Sequence, residues 1–127
     1  MNVPHLVVRA IDVGYGHVKF TDGRDADTGD LRTYSIPSQS PAYKGTIVAG
    51  GGGVMKRRDT FVIPIADRLY EVGRDVHRAL SGRQETEVLD ENFALSDQYA
   101  ARLFGAVNYM LPNLPADVID ILVLGLP

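Results

Sequence analysis

The chain has 127 residues, 45% of them hydrophobic and 23% charged, with a formal net charge of −3. This is the composition of one folded domain, with room for a core but not for a two-lobed nucleotide enzyme, and it argues against a general nucleic-acid-binding surface. Cysteine is absent, which removes disulfides and thiolate chemistry, and no apolar run approaches membrane-spanning length, so a cytoplasmic chain with no membrane partner is expected.

Leu6-Val7-Val8-Arg9-Ala10-Ile11 is β-branched and apolar and predicts a largely buried strand. His17-Val18-Lys19-Phe20 alternates polar and apolar and predicts a second strand returning antiparallel. Between them lies Asp12-Val13-Gly14-Tyr15-Gly16, a glycine-bent turn in which Gly14 and Gly16 are expected to supply positive φ. A turn centred on Tyr15-Gly16 sets Asp12 directly opposite Lys19. One centred on Gly14-Tyr15 sets Asp12 opposite His17, with Lys19 a diagonal neighbour. In either register the turn amides and the Lys19 ammonium can surround an anion, and Asp12 can meet a hydrated cation that neutralises it. The plain alternative is a cross-strand ion pair, which contributes a few tenths of a kcal/mol or so. Asp12 closes an apolar run, where an unpaired charge is costly, and that favours the anion-binding reading.

Leu31–Pro37 predicts a third strand, after a polar turn spanning residues 22–30. Residues 38–59, with Ser38-Gln39-Ser40-Pro41, Gly50-Gly51-Gly52-Gly53 and Lys56-Arg57-Arg58, read as a surface excursion that packs no core. Thr60–Ile65 and Arg68–Val72 predict a second hairpin turning at Ala66-Asp67, with Pro64 confining it to a sheet edge. Arg74–Leu80 predicts a short helix stopped by Gly82. The clearest helix begins at a Ser96 N-cap, with Tyr99, Leu103, Val107 and Met110 as its apolar stripe, and ends at Pro112 and Pro115. Val118–Leu124 reads as a buried parallel strand. Three meandering strands, a hairpin, a helix and a parallel strand predict a mixed α/β sheet with flanking helices. With nothing after Gly125-Leu126-Pro127 to cover that strand, the sequence reads as a truncated product or fragment.

Other motifs fail their tests. Gly53-Val54-Met55-Lys56 lacks the Gly-Lys-Ser/Thr of a P-loop, and Gly14-Tyr15-Gly16 has Lys19 in place of the third glycine of a dinucleotide fingerprint. Lys44 and Lys56-Arg57-Arg58 read as solvated charge, with contact to DNA or an acidic partner as the alternative. His5, His17 and His77 lack zinc-ligand spacing, and there is no nucleophile elbow.

Asp12-Val13-Gly14-Tyr15-Gly16-His17-Val18-Lys19 resembles the first phosphate-binding hairpin of the actin, heat-shock-chaperone and sugar-kinase superfamily, Asp-x-Gly-x-Gly-x-x-Lys. With Tyr after the first Gly it is similar to the plasmid-segregation (ParM/StbA) and archaeal actin-like branch. Tyr70-Glu71-Val72-Gly73 and Leu124-Gly125-Leu126-Pro127 also resemble that branch, and the opening of the chain resembles the PRTRC system protein D family of mobile elements. The resemblance implies an actin-like ATPase fold (ribonuclease H-like), with residues 1–127 as its N-terminal lobe and residues 39–90 as an inserted variable subdomain that touches the next subunit in filaments.

It further implies ATP and magnesium as cofactors, bound by Asp12, Gly14, Tyr15, Gly16, His17 and Lys19. Asp12 would face the magnesium through water, the 14–16 amides would meet the β/γ-phosphates, and Lys19 would add positive charge. Tyr15 departs from the Ser or Thr common in actin. The family's other nucleotide-binding segments and its water-positioning residue fall beyond Pro127, so no catalytic residue is expected here. The chain alone should bind ATP very weakly or not at all and should self-associate, whereas the intact protein would be an ATPase. Implied partners are further copies of itself in a filament and a DNA-binding adaptor, with no direct sequence-specific DNA contact. The alternatives are a sugar- or acid-kinase relative and a non-enzymatic interaction module on the same fold.

Overall fold

The computed structural model describes residues 5–45, 58–80 and 92–125. The Gly50–Gly53 run, Lys56, Arg57 and the expected helix stop at Gly82 lie outside them. Strands β1 (Val8–Val13), β2 (His17–Arg24) and β3 (Leu31–Pro37) form an antiparallel meander. β6 (Ile121–Gly125) pairs parallel with β1, giving the order β3-β2-β1-β6. β4 (Phe61–Ile65) and β5 (Arg68–Val72) make a separate two-stranded hairpin, and α1 (Asp97–Met110) packs across both sheets. The mixed sheet, its antiparallel start and its late parallel strand agree with the sequence expectation.

The period of two in β1 and β2 decides which residues meet the helix. Ile11 and Val13 of β1, Val18 and Phe20 of β2 and Ile36 of β3 are buried, whereas Asp12, His17 and Lys19 are exposed. Each such large apolar side chain contributes about 1.5–3 kcal/mol on burial. Ile63, Tyr70 and Val72 of the second hairpin join the same core, with Phe93, Tyr99, Ala101, Ala106 and Met110 from the helical region.

Ser96 caps α1 as expected, its side chain accepting from the Tyr99 amide. Of the expected apolar stripe, Tyr99 and Met110 are buried and Leu103 and Val107 pack half-buried against the core, while the buried face also takes in Ala101, Arg102, Gly105 and Ala106. Small residues are needed because the helix lies close to β5: a Cβ on Gly105 would sit 2.5 Å from Val72 Cγ1. Two 3-10 turns, Leu111–Asn113 and Pro115–Asp117, follow the helix, with their prolines at the first turns. Residues 76–79 likewise form a 3-10 turn where the sequence predicts a short helix.

Three further expectations are corrected. Residues 38–45 are integrated into the fold: Ser38 and Ser40 are buried, Ala42 bridges Tyr70, and the Tyr43 and Glu71 amides donate to the Leu69 and Pro41 carbonyls. That short segment covers one edge of β5 and leaves Pro64 on the open strand β4. The polar turn starts later than Asp22, because β2 continues to Arg24 through an irregularity near Gly23. The tight part is an Asx turn in which Asp25 Oδ1 accepts from the Asp27 and Thr28 amides, and those bonds hold its carboxyl below the usual carboxylate range. Finally, β6 is parallel but not buried. It forms the sheet edge, and Val123 is 53% exposed.

Candidate phosphate-binding hairpin

β1 and β2 pair as Ile11↔Phe20, Asp12↔Lys19 and Val13↔Val18, so the turn is centred on Tyr15-Gly16. The register with Asp12 opposite Lys19 is the one realised. Both side chains stand on the solvent face, because their neighbours along each strand are committed to the core. Among the described residues, no ion pair joins them and neither makes a side-chain hydrogen bond. The simple cross-strand salt bridge is therefore not formed.

Gly14 donates its amide to the His17 carbonyl at 3.0 Å and closes the turn. Its missing side chain has a steric reason, since a Cβ there would lie 3.0 Å from that same carbonyl oxygen. Gly16 has open space around it, and a Cβ added there would meet nothing within 4 Å. Contrary to expectation, neither glycine has positive φ. Among the described residues, the Tyr15 and Gly16 amides have no acceptor and lie at an exposed apex. Unengaged amides at an exposed apex offer positive potential suited to an anion, and Lys19 adds an exposed ammonium on the same ribbon.

The turn is held from behind. The Ser38 amide donates to the Gly16 carbonyl at 3.0 Å, and Ser38 Oγ donates to the Gly14 carbonyl at 2.7 Å. The Tyr15 ring meets Phe93 edge-on at 5.8 Å between centroids. On the other side, β6 ends with Gly125 in register with Asp12. A Cβ on Gly125 would come within 2.9 Å of Asp12 Oδ1, so the glycine makes room for the carboxylate. His17 is exposed at the start of β2, next to the turn.

Sequence reasoning brings together Asp12, the 14–16 turn, His17 and Lys19, and the structure keeps them at one end of one ribbon. It misses Ser38 and Phe93, which come from distant positions and carry no local signature, and, although it singles out Leu124-Gly125-Leu126-Pro127, it does not place Gly125 beside Asp12. It also misses that Arg58 is not merely solvated: its guanidinium grips buried Glu71 with two bonds of 2.9 and 3.1 Å, while Thr60 donates to the same carboxylate. Among the described residues, no group of three or more His, Cys, Asp or Glu side chains gathers to hold a bare metal ion. Asp12 is a lone, exposed carboxylate, which suits a cation that keeps its water shell. No helix among the described residues is long and apolar enough to cross a membrane.

Comparison with known proteins identifies the setting of this hairpin. Residues 10–127 match the family model described as the N-terminal domain of actin-like proteins. The chain also superposes on the crystal structure of the apo pSK41 ParM protein, with a TM-score of 0.61 and 16% sequence identity. That match covers 96% of this chain and 37% of the ParM chain, so the chain spans little more than a third of the length of that neighbour. No curated protein matches the sequence.

Proposed function

Because the chain belongs to the actin-like proteins, as their N-terminal domain, we propose that it supplies one jaw of an ATP-binding cleft in a polymerising, plasmid- or mobile-element-segregating ATPase. The observation carrying this reading is the β1–β2 ribbon. Its carboxylate and ammonium are registered opposite each other, no ion pair joins them, and they flank two amides at the exposed apex that are unengaged among the described residues. A buried core fixes the register, and a bound triphosphate rewards the exposed charges.

In this reading the Tyr15 and Gly16 amides and the Lys19 ammonium bind β/γ-phosphate oxygens, with Gly14 closing the turn and His17 beside it. Asp12 orients the water shell of magnesium, whose chemistry is to neutralise phosphate charge. The chain's own residues bind and position, and turnover needs groups from a second lobe. Residues 39–90 act as the inserted subdomain that meets the next subunit in a filament, and a separate adaptor links the filament to DNA in the cytoplasm.

The test is ATP turnover by the full-length protein. Asp12→Ala and Lys19→Ala are each expected to abolish it, as measured by phosphate release, and turnover unchanged in both removes the reading. Light scattering that rises on adding ATP supports filaments. Phosphate transfer dependent on an added sugar points instead to a kinase.

A further inference from the structure

Arg102 is the largest fully buried side chain among the described residues, and no step above uses it. It lies on α1, which never reaches the hairpin's solvent face. Its guanidinium nevertheless connects to the hairpin along two routes. In the first, Arg102 Nη1 donates to Ser38 Oγ at 3.2 Å, and Ser38 Oγ donates to the Gly14 carbonyl at 2.7 Å. Arg102 Nε also donates to Ser40 Oγ at 2.9 Å, which pins the segment carrying Ser38. In the second, the guanidinium stacks over the Phe93 ring at 5.1 Å, and Phe93 meets Tyr15 edge-on.

The effect on the turn follows from peptide geometry. The Gly14 carbonyl and the Tyr15 amide share one trans peptide plane, so they point in opposite directions. Drawing that carbonyl inward onto Ser38 turns the Tyr15 N–H outward, to the side where an anion would sit. Bracing is needed because two-residue hairpins with no positive φ fit poorly to the natural twist of the strands. A charged donor to Ser38 Oγ polarises the hydroxyl and strengthens its bond to Gly14.

We propose that Arg102, through Ser38, is a positioning residue that presets the phosphate-binding hairpin, aiming the Tyr15 amide outward before any ligand arrives. The inference rests on the phosphate-binding reading for its functional consequence but not for its structural content. Its test therefore has two independent arms in the full-length protein. The first measures MgATP affinity in Arg102→Met, Ser38→Ala and the double variant. Each single change is expected to weaken binding about tenfold, and the double variant no more than about threefold further, because both cut one relay. Additive losses, or affinity unchanged in folded Ser38→Ala protein, overturn the proposal while leaving the Asp12 and Lys19 results standing.

The second arm needs no ligand. Hydrogen exchange of the Gly14 and Ser38 amides, both bonded within the braced turn, should accelerate about tenfold or more in Ser38→Ala and in Arg102→Lys. Exchange unchanged in both overturns the proposal even if ATP never binds. Ser38→Ala removes a single hydroxyl, so this arm stays decisive if Arg102→Met fails to fold.

Discussion

Tyr15-Gly16 and Ala66-Asp67 each close a two-residue hairpin, yet the two turns place glycine in opposite ways. The first is flanked and filled by glycines but has no positive φ. The second has no glycine, although Ala66 sits at φ 53°, where a side chain is disfavoured. The second turn shows that this fold tolerates a strained alanine where it needs only to reverse the chain. Glycine in the first turn therefore answers a different demand, which is space. Gly14 lets a carbonyl approach, and Gly16 leaves an open surface over the unengaged amides.

The largest expected effect separates these two roles. Gly16→Val should lower MgATP affinity at least tenfold, about 1.4 kcal/mol, while the unfolding free energy measured in urea changes by less than about 0.5 kcal/mol. Equal losses in both measurements would mean that Gly16 serves the fold and not a ligand. Gly14→Ala should lower stability by about 1 kcal/mol, since its Cβ meets a backbone oxygen that cannot rotate away. A smaller gain is expected on the other side: Ala66→Gly should stabilise the protein by about 0.5 kcal/mol, relief of the strained φ exceeding the added unfolded-state entropy. A loss of stability there would show that the Ala66 methyl packs and would weaken the contrast.

The smallest effect concerns the base of the second hairpin. Tyr109 donates to Asp59, accepts from the Arg74 amide and lies 4.6 Å from the Arg74 guanidinium. Burial, reinforced by the Asp59 carboxylate and opposed by the Arg74 amide, pushes its hydroxyl up from 10.0 to about 12. The neutral form is the one the fold favours. Its stabilisation is thus complete below about pH 10 and lost as pH rises through about 12. A tyrosinate absorbance titration should show an ionisation at about pH 12, and Tyr109→Phe should remove that step.

Much of this is legible in the sequence because it is local. Alternation in Ile11–Phe20 sets both the strands and the face of Asp12 and Lys19, and Ser96 marks the start of α1. The exposed β6 escapes such reasoning because an apolar run reports a preference for burial, whereas its place at the sheet edge is decided by what packs beside it. The burial of Arg102 escapes it for a related reason: an arginine on a helix looks like a surface residue until Ser38 and Ser40 come to it from more than 60 positions away. The glycine pattern at 14–16 identifies the turn, but the Ser38 clamp behind it comes from a distant position, and no local rule contains that clamp.

The parallel pairing of β1 with β6 has a temporal consequence. Gly125 cradles Asp12, and the strand it ends is anchored where Val7 and Asp120 bond across 113 positions of chain. A growing polypeptide thus makes its acid early and that acid's neighbour only after more than a hundred further residues. Long-range parallel closure is a slow event. A nascent chain would therefore show the bent ribbon well before Gly125 closes on Asp12.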